Sequence, residues 1–418
     1  MKKIAIYIMR FGLSLIYAVL KLFPTQKGKV LFLSRQSDSL SQDFRMLADE
    51  LERQATAGTS HESDAKAEIV ADASCESSAK SESKTDIKIV AICHRLEGAG
   101  GMASMIAFAK STLASMYHLA TSEVCVLDAY WPAVSILKHK KSLTVIQMWH
   151  ALGKIKQSGY QTLGKESGRG EEIAHLMKMH EGYDYIIAGG SAWNPFYCAS
   201  FGTTEDKLRN YGLPRIDYLL ETQEENRRKV LAAYPELAGK TIVLYAPTFR
   251  RGIKLEWEGL LDLVRENDNY ALIIKGHPNQ KIELDSVEFG GRKVSSLDEI
   301  PGVYTCPELT SAEILAAADY LITDYSAIAI EGAVLNKKTY YFVYDYEEYR
   351  QKNGMNIDLF EVMPGCVFRD ASELIARLKS GDYNDAALAS YREKYLPSEL
   401  GTSTEKIAQL VLDNMTRR

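Results

Sequence analysis

One stretch, Leu321–Asp345 (LITDYSAIAIEGAVLNKKTYYFVYD), constrains the fold more than any other part of the chain. Ala318, Tyr320, Leu321 and Ile322 form a short apolar run, as a strand buried on both faces does. Thr323, Asp324 and Ser326 follow, with side chains that can cap a helix start. Ala327–Leu335 then reads as an apolar helix and Tyr340–Tyr344 as the next buried strand. This order makes a parallel βαβ unit. It puts Thr323–Ser326 at the carboxyl end of a strand, against a helix N-terminus, where open α/β sheets bind ligands and free N–H groups favour a phosphate. Glu331 stands just over one turn into the helix, within reach of a ribose hydroxyl pair. An ordinary capped βαβ unit has the same pattern, so the stretch alone does not decide between the two.

The second half of the chain repeats the alternation. Strands are expected at Thr241–Tyr245, Tyr270–Lys275, Gly302–Thr305, Tyr320–Thr323 and Thr339–Tyr344, and helices at about Trp257–Glu266, Ser311–Ala317 and Ala327–Leu335. Two further strand ends carry chemistry. The first ends in Pro247, Thr248 and Arg250, which combine a rigid ring, a hydroxyl and a guanidinium. The next ends in Lys275, Gly276 and His277, two cations around a glycine. Together with Thr323–Ser326, three strand ends of one sheet aim hydroxyls, cations and helix N–H groups at one crevice, which favours a diphosphate ligand.

The first half reads as a second α/β domain, and 418 residues suffice for two cores. Strands fall at Val30–Leu33, Ile87–Cys93, Val124–Leu127, Leu143–Met148 and Tyr183–Ala188. Gly98, Gly100 and Gly101 follow the second of these without the spacing of a dinucleotide fingerprint or P-loop. The fourth strand runs straight into Trp149-His150-Ala151-Leu152-Gly153-Lys154. His150 therefore stands at a ligand-facing strand end, where an imidazole can act as general base, and Lys154 just behind it can hold an anion. A histidine bonded to a neighbouring loop is the plainer reading. His175 and His180 have the wrong spacing for a shared metal and read as structural.

Two segments fit neither domain. Gln54–Thr85 is Ala-, Ser-, Glu- and Lys-rich and reads as a disordered insertion. Met1–Phe23 is apolar enough to consider as a membrane span, but Lys3, Tyr7, Arg10, Ser14, Tyr17 and Lys21 share one helical stripe, with Ile6, Met9, Leu13, Ile16 and Leu20 opposite. An amphipathic helix lying in the membrane plane fits better than a span that buries Arg10. A hydrophobic helix docked on the protein's own surface is the alternative. These readings divide the chain into a helix over 1–29, a first domain over 30–217 with its insertion at about 54–85, a second over 218–380 joined through a helix at Ile216–Tyr234, and closing helices over 381–418 that cross back to the first. A net charge of −5 excludes bulk attraction to nucleic acid, and six scattered cysteines exclude a disulfide or zinc framework.

MWHALGK (148–154), GLPRID (212–217), YAPTFR (245–250), KGHPN (275–279) and TDYSAIAIEGAVLNK (323–337) resemble, in order and spacing, the CDP-glycerol glycerophosphotransferases, the teichoic-acid primases and polymerases of Gram-positive bacteria. The resemblance implies a GT-B architecture, with two Rossmann-like domains facing across a cleft on the cytoplasmic face of the cell membrane. It implies transfer of glycerol phosphate from CDP-glycerol to a hydroxyl of a membrane-bound, polyprenyl-linked acceptor, with release of CMP. His150 matches the family's proposed base. Lys275, Gly276 and His277 match its diphosphate segment, and Arg215, Pro247 and Thr248 its donor contacts. Ser326 and Ala327 match a Ser-Ser pair, and Glu331 an Asp. The departures, including Ala151-Leu152-Gly153 where the family has Gly-Thr-Pro, bear on donor identity, so that CDP-ribitol or another CDP-alditol also fits. No carboxylate cluster suits a resident metal, and Mg²⁺ is expected only on the donor diphosphate. A GT-B glycosyltransferase using a nucleotide sugar is the enzymatic rival. A lipid-binding homologue without activity is the other.

Overall fold

The computed structural model describes residues 2–57, 70–71, 87–95, 102–166, 168–248, 255–265, 267–276, 288–289 and 292–416. The chain forms two compact units. One comprises Met1–Ala151, Ser158–Asp217 and Glu399–Arg418, the other Leu152–Gln157 and Tyr218–Ser398.

The first unit is built on a parallel sheet of β1 (Lys29–Ser34), β2 (Val70–Ala71), β3 (Lys88–Cys93), β4 (Val124–Leu127), β5 (Thr144–Gln147), β6 (Tyr185–Ile187) and β7 (Leu208–Arg209), in the order β2-β3-β1-β4-β5-β6-β7. The apolar run Val30–Leu33 is fully buried in its centre, as a strand covered on both faces must be. Truncating such a side chain, Leu31→Ala for example, costs on the order of 2–5 kcal/mol. From β1 the chain builds β2 and β3 on one side and then continues to β4 on the other. The topological switch point of this sheet therefore lies between β1 and β4.

Part of the segment expected to be a disordered insertion has regular structure. Gln54–Ala57 is the last turn of helix α2 (Gln42–Ala57), and Val70–Ala71 pairs with β3 as the edge strand. The rest of that segment, and the glycines 98, 100 and 101, lie outside the described residues.

Helix α1 (Lys2–Leu20) belongs to this unit and is docked by its polar side. Lys3 pairs with Glu172, and Arg10 donates to the Leu176 carbonyl at 2.7 Å. His139 donates through Nε2 to the Val134 carbonyl, so its Nδ1 accepts from the Tyr17 hydroxyl at 2.7 Å. The exposed stripe consists of Ile4, Ile8, Phe11, Leu15, Val19 and Leu22. This corrects the expected face. Met9 and Ile16 are exposed, but Ile6, Leu13 and Leu20 are half-buried, because the bonds of Arg10 and Tyr17 fix the rotation of the helix.

Helix α3 (Met102–Thr121) and helix α4 (Glu171–Leu176) both pack against α1. Helix α5 (Pro214–Glu221) contributes Asp217, whose carboxylate accepts the Ser403 and Thr404 N–H groups at 3.2 and 2.7 Å and so caps the C-terminal helix Ser403–Thr416. Of the closing helices, only residues from Glu399 onward belong to the first unit; those before remain with the second. The connector expected as one helix over 216–234 is two, α5 and α6 (Gln223–Ala233), parted at Thr222. The Thr222 hydroxyl bonds back to the Tyr218 carbonyl at 2.7 Å.

The second unit carries β8 (Thr241–Tyr245), β9 (Tyr270–Ile274), β10 (Val303–Tyr304), β11 (Tyr320–Thr323), β12 (Lys338–Phe342) and β13 (Val367–Phe368), in the parallel order β10-β9-β8-β11-β12-β13. Its switch point lies between β8 and β11. Helix α7 (Ser311–Ala317) starts in a capping box between Thr310 and Glu313, and α8 (Ile328–Val334) follows β11.

Candidate active site

Each switch point holds a buried aspartate at the carboxyl end of the strand beside the unit's first strand. In the first unit Asp128 follows β4. Its carboxylate accepts the Ser34 hydroxyl at 2.6 Å and the Arg35 N–H at 3.3 Å, both from the end of β1. Burial pushes its pKa up to about 6, against the bonds from Ser34 and Arg35, which act the other way. Its main-chain carbonyl takes a further bond, from His150 Nδ1 at 2.9 Å. A carbonyl only accepts, so Nδ1 carries a proton, and in the neutral ring the lone pair is on Nε2. That is the protonation pattern a general base requires.

The residue before the imidazole is strained to place it. Trp149 has φ +64°, a left-handed conformation costly for a bulky residue, and its N–H is held by Gln147 Oε1 at 2.9 Å. The indole lies 4.2 Å from the His150 ring, centroid to centroid, and meets Phe201 edge-on. His150 is half-buried and rigidly framed. Its sequence neighbour Lys154 has another setting. It lies in Leu152–Gln157, which belongs to the second unit, and its backbone carbonyl accepts from Asn356 Nδ2 at 2.8 Å. The side chain is buried, which pushes its pKa well below the ordinary lysine range.

In the second unit Asp324 follows β11, and both its oxygens accept the Thr248 N–H, at 3.0 and 2.9 Å. The Thr323 hydroxyl donates to the Ala246 carbonyl at 2.7 Å. Pro247 and Thr248 are thereby pinned at the end of β8. Lys275, directly after β9, donates its N–H to the Tyr245 carbonyl at 2.9 Å and its ammonium to the Cys306 carbonyl at 2.8 Å. Tyr325 is buried in a stack on Tyr349, with centroids 3.9 Å apart. Around these buried anchors, Lys275, Gly276, Ser326, Ala327 and Glu331 are the half-exposed positions. The second unit thus brings Pro247, Thr248, Lys275, Gly276, Ser326, Ala327 and Glu331 to one sheet edge and the turn of helix behind it, as expected. Arg250 and His277 lie outside the described residues. Arg215 is in the first unit, where its main-chain N–H and Nε donate to Asp43 at 2.8 and 2.9 Å.

Ser34, Arg35 and Asp128 are missing from the sequence reading. Their signal is faint: a polar residue closing each of two apolar strands that prove to be neighbours.

The chain matches the family described as CDP-glycerol:poly(glycerophosphate) glycerophosphotransferase over residues 15–413. It belongs to this family. Among curated relatives, the teichoic acid ribitol-phosphate primase of Bacillus spizizenii is 26% identical over 407 residues, covering 94% of this chain and 93% of the relative. The teichoic acid glycerol-phosphate primase of Bacillus subtilis is 28% identical over 303 residues, covering 71% and 75%. Among solved structures, the wall teichoic acid polymerase TagF superposes with a TM-score of 0.68 at 14% identity, covering 99% of this chain and 98% of that one. The likeness makes the architecture GT-B-like, and family membership makes the protein a transferase of alditol phosphate in teichoic acid synthesis.

Proposed function

We propose that the protein transfers glycerol phosphate from CDP-glycerol to a hydroxyl of a membrane-bound, polyprenyl-linked cell-wall glycopolymer acceptor and releases CMP. The observation that supports this reading is the bond from His150 Nδ1 to the Asp128 carbonyl, which leaves Nε2 of the neutral ring as the basic nitrogen. The acceptor hydroxyl attacks the phosphorus that bears glycerol. A new O–P bond forms, the bond from that phosphorus to the oxygen bridging to CMP breaks, and the hydroxyl proton passes to Nε2. Charge grows on the departing CMP phosphate, and Lys275, His277, Arg250 and Ser326 with the first-turn N–H groups of α8 are the groups assigned to meet it. Glu331 is assigned to the cytidine ribose, and Arg215, Pro247, Thr248, Gly276 and Ala327 to the rest of the donor. No resident metal is called for, and Mg²⁺ enters with the diphosphate. A TagF structure described as soaked with CDPG supports a CDP-alditol donor.

A second reading, CDP-ribitol as donor, is favoured by the nearly end-to-end match to a ribitol-phosphate primase. Attachment to the cytoplasmic face of the cell membrane is supported by α1, whose polar groups bond to the protein while its apolar stripe is exposed. Incubation with radiolabelled CDP-glycerol, CDP-ribitol and UDP-sugars plus a polyprenyl-linked acceptor tests all of this. Label should move from a CDP-alditol. Transfer from a UDP-sugar alone would overturn the proposal.

A further inference from the structure

The reaction needs a second substrate, and the first unit contains a basic cluster beside the proposed base that the donor does not explain. Tyr130, two residues beyond Asp128, is its hub. Its carbonyl accepts from Arg35 Nη1 at 2.8 Å, its hydroxyl donates to the Met177 carbonyl at 2.9 Å, and the Arg169 guanidinium lies 5.2 Å from the centre of its ring. Arg35 and Arg169 are close enough to repel. The Arg35 pKa is lowered, first by burial and next by Arg169. Arg35 is held at the Tyr130 carbonyl and Arg169 at its ring, so two guanidiniums stand on one residue, and the planar fork of arginine matches the oxygens of a phosphate ester.

Position supplies the independent argument. Arg35 ends the strand at the switch point, and its N–H bonds to the carboxylate of the same Asp128 whose carbonyl holds His150. One residue thus ties the cation to the base. On the other side, Arg10 of α1 bonds to Leu176, next to the Met177 carbonyl that holds the Tyr130 hydroxyl. The cluster therefore lies between His150 and the helix with the exposed apolar stripe, where the phosphate of a lipid-linked molecule would come to rest as its hydroxyl reached Nε2.

We infer that Arg35 and Arg169, held around Tyr130, form a subsite for the phosphate ester nearest the attacking hydroxyl of the acceptor. The inference rests on the transfer reading above. Its test uses Arg35→Gln, Arg35→Lys and Arg169→Gln in the full chain, with glycerophosphoglycerol as charged acceptor and probe and glycerol as its uncharged counterpart. The Kd of glycerophosphoglycerol by calorimetry, and its KM in transfer, should rise tenfold or more in both Gln variants. Donor Kd should stay at the parent level in both, and the kinetics with glycerol should stay there in Arg169→Gln. Arg35→Lys, which keeps charge but loses the fork, should fall between. Arg169 is exposed, so Arg169→Gln carries the test if Arg35→Gln fails to fold. Unchanged affinity for glycerophosphoglycerol in a folded Gln variant would overturn the inference. So would loss of binding to anionic phospholipid vesicles with that affinity intact, because the pair would then read lipid headgroups. If the parent protein transfers nothing from either CDP-alditol, the functional proposal fails, and the calorimetric arm still decides the subsite.

Discussion

The two units solve one topological problem with the same residue and to different ends. At each switch point an aspartate buried after the neighbouring strand accepts the N–H of a residue just past the end of the first strand, Arg35 in one case and Thr248 in the other. Both oxygens of Asp324 accept that N–H and pin the end of β8. Asp128 divides its carboxylate between Ser34 and Arg35, and its carbonyl orients an imidazole. On the proposed reading the second unit cradles the donor and His150 of the first accepts the proton. Changes at His150 should therefore act on rate, and changes in the second unit on donor affinity.

The hardest test of that division is the histidine pair. His150→Ala should lower kcat by about 10²–10⁴ while CDP-glycerol binds as before, since a base acts only in the chemical step. His277→Ala should weaken donor binding as well as rate. Near-normal turnover of His150→Ala in a single-turnover assay would remove the first unit's claim to the base.

Glu331 is the next lever. Glu331→Gln removes a charge-assisted bond worth about 1.5–3 kcal/mol, so donor affinity should fall roughly ten- to hundredfold. A structural Glu331 would instead show a lower melting temperature with an unchanged donor Kd, and calorimetric titration with CDP-glycerol and CMP separates the two. Glu331→Asp should be milder.

The smallest expected effect concerns stability and Asp128. Its folded pKa of about 6 lies above the ordinary 3.8, so the fold prefers the protonated carboxyl. That contribution is complete below the ordinary value and is lost as pH rises to about 6. The shift corresponds to on the order of 2–3 kcal/mol. Asp128→Asn stays neutral throughout, so its melting temperature relative to the parent should climb by several degrees between pH 4 and pH 7. A pH-independent difference would mean that the carboxylate is comfortable in its site.

The two units also differed in how far they could be read from sequence. Thr241–Tyr245, Tyr320–Thr323 and Ser311–Ala317 appear with the expected bounds, because buried parallel strands and a capping box leave strong local patterns. Thr248, Lys275 and Ser326 stand past strand ends for the same reason, each following an apolar run. Ser34, Arg35 and Asp128 were not legible, because their meaning depends on β1 and β4 being neighbours, and sequence separates them by more than ninety residues. The rotation of α1 was misjudged on similar grounds. Main-chain carbonyls such as that of Leu176 bind its arginine, and a carbonyl looks alike at every residue. The burial of Lys154 was not legible either, because it depends on Leu152–Gln157 joining the second unit.

The docking of α1 also has a consequence in time. Arg10 leaves the ribosome 166 residues ahead of the carbonyl that will hold it. At about 5–20 residues per second, roughly 10–30 s pass during which the helix has been made and its docking site has not. Throughout that interval the helix is without the carbonyl that later holds it, so the order of synthesis gives it a first choice of partner before that body exists.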